Sequence, residues 1–214
     1  MYNSDYNNAL SFTFIWSVDG FNYSGQCKGF VSSVYVVEVN SDGDKGYPEN
    51  VVVEVGICRI DMETLDYDSV YGELIEKDPL DMGKTSLDFL TDRAGIDTRE
   101  LYLGLPEENV ISDVKKILKG QDVACFDVRE TFMKYLLNFP WDMTKEVMIM
   151  PAVSFRVPKN LNLKRDDPVQ DRIVAAYNSL CPGDPAGIKD GRRALHLAQM
   201  TSEILIILRK EGMY

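Results

Sequence analysis

The sequence holds very little of what a zinc site or a nucleophilic enzyme is built from. It has one histidine, His196, and four cysteines, Cys27, Cys58, Cys125 and Cys181, none of them in a C-x-x-C pair. Zinc-finger and zinc-protease spacings are thereby excluded. A lone histidine without a nucleophile elbow leaves no serine or cysteine relay either. No G-x-G-x-x-G follows a strand and no G-x-x-x-x-G-K-[ST] occurs, which removes the common nucleotide-binding loops. Asn40, Asp42 and Asp44 begin like a calcium loop, but Lys45 and Val51 stand where glycine and glutamate are needed. Long apolar runs are missing as well. The run at 204–208 is far too short to span a bilayer, and the opening Met1-Tyr2-Asn3-Ser4-Asp5 lacks the basic-then-apolar order of a secretory leader. Asn22-Tyr23-Ser24 therefore carries no weight as a glycosylation acceptor. The expectation is an intracellular, cytoplasmic protein with no membrane partner and with Cys58 and Cys125 as packed thiols.

Positive charge is scarce too. Lys and Arg number 23 against 34 Asp and Glu, a net charge of −11. Nucleic-acid affinity comes largely from basic side chains displacing counterions, so this balance disfavours a nucleic-acid partner. What the chain does have is hydrophobic content: 45% of its 214 residues, enough for one domain with an extension.

The order of patterns gives that domain its class. Residues 10–17 alternate, Val18-Asp19-Gly20 turns, and 21–27 returns, a β-hairpin set apart as an extension over 1–30. From 31 to 214 a three-strand series comes first: 34–39, 50–60 and 67–75. A helix then runs from Pro106 to Gly120 with Val110, Ile111, Val114, Ile117 and Leu118 on one face. A short buried strand follows at 122–126 and a helix at 129–138. Another strand lies within 146–155, and helices close the chain at 168–180 and 193–210. In the last, Leu197, Met200, Ile204 and Leu208 recur at helical spacing, which means core or partner packing. A meander followed by alternating helices and strands predicts an α/β mixed sheet flanked by helices.

Five strings on those elements resemble motifs of the DnaQ-like (DEDD) 3′–5′ exonucleases, which have a ribonuclease-H-like fold. Glu38-Val39-Asn40-Ser41-Asp42-Gly43 is similar to D-x-E-T-T-G, and Val52-Val53-Glu54-Val55-Gly56-Ile57-Cys58 to I-x-E-I-G-x-V. Ala94-Gly95-Ile96-Asp97 resembles H-G-I-T. The segment from Val123 to Glu130 resembles the strand leading to H-N-x-x-F-D, and Arg192-Arg193-Ala194-Leu195-His196-Leu197-Ala198 resembles H-x-A-x-x-D-A. The resemblance implies a three-strand antiparallel meander plus parallel strands, flanked by α-helices, over residues 31–210.

Such enzymes use two divalent ions about 4 Å apart, held by carboxylates converging from different elements. The corresponding positions here read Glu38, Asn40, Asp127 or Glu130, Arg192 and Leu197. Aspartate has become glutamate, glutamate has become asparagine, the histidine position holds arginine, and leucine stands where the last aspartate belongs. Leucine offers a metal nothing. His196, one residue before, is turned ~100° around the helix and reads as a structural histidine. The resemblance therefore implies a catalytically inactive, exonuclease-fold protein that needs no cofactor and acts as a module binding a protein partner or as a subunit of a nucleic-acid complex, with a homodimer through the C-terminal helix as one form. The competing expectation is a divergent magnesium- or manganese-dependent 3′–5′ exonuclease on single-stranded DNA or RNA. Its ligands would be Glu38 and Asp127 or Glu130, with help from Glu54 and Asp190.

Overall fold

The computed structural model describes residues 12–18, 21–27, 32–183, 187–188 and 191–214. Strands β1 (Phe12–Val18) and β2 (Phe21–Cys27) pair antiparallel from Phe12↔Cys27 to Val18↔Phe21 as a sheet of their own. The hairpin's turn at 19–20 and the residues at 10 and 11 lie outside the described residues, as does Asp190.

The main sheet has five strands in the order β5-β4-β3-β6-β7. Its members are β3 (Ser33–Ser41), β4 (Val52–Asp61), β5 (Tyr67–Leu74), β6 (Asp122–Ala124) and β7 (Met148–Ile149). The first three form an antiparallel meander, and β6 and β7 add parallel to β3. The expected ribonuclease-H-like α/β architecture is the one the chain adopts. Central strand β3 is buried on both faces, which is why 34–39 reads as a continuous apolar run rather than an alternation. On one face Val34 and Val36 meet helices α3 (Val169–Leu180) and α4 (Ala194–Lys210). On the other, Val37 and Val39 pack with α2 (Glu107–Leu118) and the helical segment Arg129–Leu136. In α4 the predicted row Leu197, Met200, Ile204 and Leu208 is buried in the core.

Three details depart from the pattern-based expectation. The helix at 129 is a wide π-helical turn, its last amide at Leu137 reaching back to the Phe132 carbonyl. In 146–155 only Met148–Ile149 pairs as strand, because Pro151 has no amide to continue the ladder and Val153–Phe155 forms a 3₁₀ turn. The stretch 76–105, unassigned by periodicity, holds the short turns Pro79–Asp81 and Thr98–Leu103 with α1 (Lys84–Phe89) between them; α1 widens into Leu90–Ala94. Among the described residues, no helix is long and apolar enough to cross a membrane.

Helix α4 is seated on the sheet through a glycine. A Cβ at Gly56 would lie 2.3 Å from the backbone of Ala194 and Leu195, where nothing can rotate away. Gly56→Ala should therefore cost roughly 3 kcal/mol, the upper end for overpacking. Urea denaturation checks this, and a loss below ~1 kcal/mol would show that α4 slides without strain.

A candidate metal centre closed by its own side chains

Strand β3 alternates, so Val34, Val36, Glu38 and Asn40 fall in one row facing α3 and α4. The first two sit in the core; the last two are polar and buried, at 2% and 0% exposure. A buried carboxyl must find donors, and Glu38 finds three. Its Oε1 accepts from the Phe126 amide at 2.6 Å and the Thr201 hydroxyl at 3.0 Å, and its Oε2 from the Thr131 hydroxyl at 3.3 Å. Burial nevertheless dominates and pushes its pKa up from 4.5 to about 8; the three donors pull it down, and nearby Asp127 adds to the rise. At pH 7 this carboxyl is mostly neutral.

Asn40 is equally committed. Its amide donates to Glu54 Oε2 at 2.8 Å and to the Arg192 carbonyl at 2.9 Å, while its oxygen accepts from Gln170 at 3.3 Å. Glu54 in turn accepts from Arg193 Nε at 2.6 Å and from the Ala194 amide that opens α4, at 2.8 Å.

The remaining sequence-derived positions lie nearby but not on Glu38. Asp127 pairs with Arg172 at 2.8 Å and caps the Arg129 amide. Glu130 pairs with Lys134, and Arg192 with Asp171. Leu197 is a core residue at 1% exposure. His196 is partly buried beside Gly191, and its Nδ1 has no hydrogen-bond partner among the described residues.

The two groups that do converge on Glu38 were missed in the sequence. The pattern H-x-A-x-x-D-A also fits one helical turn later, at His196-Leu197-Ala198-Gln199-Met200-Thr201-Ser202, where histidine and alanine both match. Sliding H-N-x-x-F-D one residue later puts Thr131 at its aspartate, though none of its fixed residues is matched there. In both registers a threonine occupies the aspartate position. Matching on carboxylates passes over both.

Above this layer lies a cleft of about 430 Å³, bordered by Ser41, Glu130, Thr131, Lys134, Arg165 and Gln170 among others. Glu38, Asn40, Asp127 and Thr201 are not among its walls. Thr131 and Gln170 thus form a floor, with Glu38 and Asn40 hydrogen-bonded beneath it. Hard divalent ions need several ionised oxygens converging on one point. These residues do not fit such an ion: both Glu38 oxygens are held by donors of this chain, Asn40 is bound to Glu54, and Asp127, Glu130 and Glu54 are each neutralised by a cation of this chain. Among the described residues, no three His, Cys, Asp or Glu side chains group as a metal site.

This is the fold of the DnaQ-like 3′–5′ exonucleases. The nuclease domain of 3′hExo, a DEDDh family member solved bound to rAMP, is similar with a TM-score of 0.53 at 14% identity, over 87% of this chain and 94% of that one. Exonuclease I of E. coli, in complex with a dA16 oligonucleotide, gives a TM-score of 0.58 at 9% identity, over 84% of this chain and 41% of its own. Exonuclease I of Methylocaldum szegediense gives 0.56 at 14%, over 83% and 40%. This chain thus spans less than half of either exonuclease I. No protein-family model and no curated protein sequence matches the chain.

Proposed function

We propose that this protein is a catalytically silent, exonuclease-fold module that works by binding another protein. The observation that carries this reading is the sealed floor: the one carboxyl at the centre is occupied by three neutral donors, and the carboxylates around it are matched to Arg172, Arg193 and Lys134. Cutting a phosphodiester in this fold requires two ions held by free carboxylates, and no such set converges among the described residues.

The surface supports a binding role. Leu80 and Leu103 are 87% and 82% exposed, and Tyr102 and Leu105 lie exposed near them. The Tyr102 hydroxyl bonds Asp78 at 2.9 Å, and the Glu76 amide bonds the Leu105 carbonyl, so the two segments form one patch. Exposed Glu76, Asp78, Asp81 and Glu108 lie among these apolar residues. Lys77, Lys84 and Arg99 flank the same segments, so large exposed apolar side chains amid mixed charge suit a leucine- or aromatic-bearing segment of a partner protein.

Incubating the protein with end-labelled single-stranded DNA or RNA and Mg²⁺ or Mn²⁺ tests the silence of the site. No shortening is expected. Metal-dependent shortening that vanishes in Glu38→Ala would establish the divergent exonuclease instead.

A further inference from the structure

We infer that Glu38, Thr131 and Thr201 form a metal-independent clasp in the place where this fold would hold its ions, and that the two threonines are what keeps divalent cations out. The inference rests on the catalytically silent reading and adds to it a structural role for the same residues.

Three elements far apart in sequence meet on one carboxyl. Glu38 on β3 joins the Phe126 amide after β6, Thr131 on the π-helical turn and Thr201 on α4, with separations of 88, 93 and 163 residues. If both threonines were aspartates, three buried carboxyls would face one another and repel unless a cation lay between them. Threonine in both places turns two acceptors into donors, so the hydrogen bonds close without an ion. Glutamate in place of aspartate supplies the extra carbon that lets one carboxyl reach all three donors. The substitutions interlock chemically: each makes sense only with the others. Thr131 also borders the open cleft, so an ion from solvent would have a route to this point once the hydroxyl became a carboxylate.

The test is Mn²⁺ titration of the full chain, read by electron paramagnetic resonance and calorimetry. The native protein should show no saturable site at the clasp. Thr131→Asp/Thr201→Asp should bind one ion at least about tenfold tighter, the lower end of what changes around a metal do to affinity. Its Tm should rise with Mn²⁺ and fall with a chelator. Saturable binding by the native chain that is lost in Glu38→Gln overturns the inference, and so does a folded double variant with no gain. Should the double variant not fold with or without Mn²⁺, Glu38→Gln decides, because glutamine can still accept the Phe126 amide and satisfy the hydroxyls. A Tm at or above that of the native chain supports the clasp, and a loss of several degrees overturns it. Failure here, with no nuclease activity, would leave the silent reading standing; nuclease activity would sink that reading whatever the Mn²⁺ result.

Discussion

Arg172→Met is expected to lower the unfolding free energy by about 3–5 kcal/mol, the cost of leaving one partner of a buried ion pair alone. The Arg172 side chain is 6% exposed and that of Asp127 16%. The guanidinium bonds Asp127 at 2.8 Å and the Asp167 carbonyl at 3.1 Å, and it lies 6.0 Å from the centroid of the Phe126 ring. Methionine keeps much of the stem's packing but leaves the Asp127 carboxylate buried without its cation. Adding Asp127→Asn should restore most of the loss, since the unpaired charge then disappears. Urea denaturation of the two single variants and the double variant measures this. A single-variant loss under ~1 kcal/mol, or a double variant no better than Arg172→Met, would show that the pair is solvated and structurally minor.

The second large effect concerns acidity. With a folded pKa of about 8 against an ordinary 4.5, Glu38 binds a proton in the folded chain that it releases on unfolding. Between those two values the folded state holds more protons than the unfolded state. Glu38 therefore makes stability fall as pH rises through that window, and the penalty is complete above pH 8. Glutamine cannot ionise and lacks this slope. Relative to the native chain, Glu38→Gln should be close to neutral at pH 5 and more stable by several kcal/mol at pH 9, at ~1.4 kcal/mol per pH unit. Urea midpoints at the two pH values check it. Parallel pH profiles for the two proteins would mean that Glu38 titrates normally.

Much of the scaffold was legible because periodicity carried it. The β-branched run at 34–39 and the long strand after Asn50 marked the meander, and the spacing from Leu197 to Leu208 marked α4. The turns between 76 and 105 were not, because Pro79, Gly83, Gly95 and Gly104 interrupt that stretch and its pieces Pro79–Asp81, Lys84–Phe89 and Thr98–Leu103 are only 3, 6 and 6 residues long, too short to show a repeated apolar face. At the site, alternation along β3 was enough to put Glu38 and Asn40 in one row. Thr131 and Thr201 escaped for a different reason. A helix brings residues four apart to the same face, so Leu197 and Thr201 are one turn apart and the motif alone does not choose between them. Only the hydrogen bonds of Glu38 select the second.

The contact between Glu54 and the first turn of α4 bears on what that helix end can take from solution. The leading amides of a helix are the natural resting place for an anion. Here the Ala194 amide already serves a carboxylate from the chain's own sheet. A phosphate from solution would have to displace that carboxylate or settle for surface cations such as Arg129 and Arg165 on the cleft wall, and attraction of the second kind fades steeply as ionic strength rises.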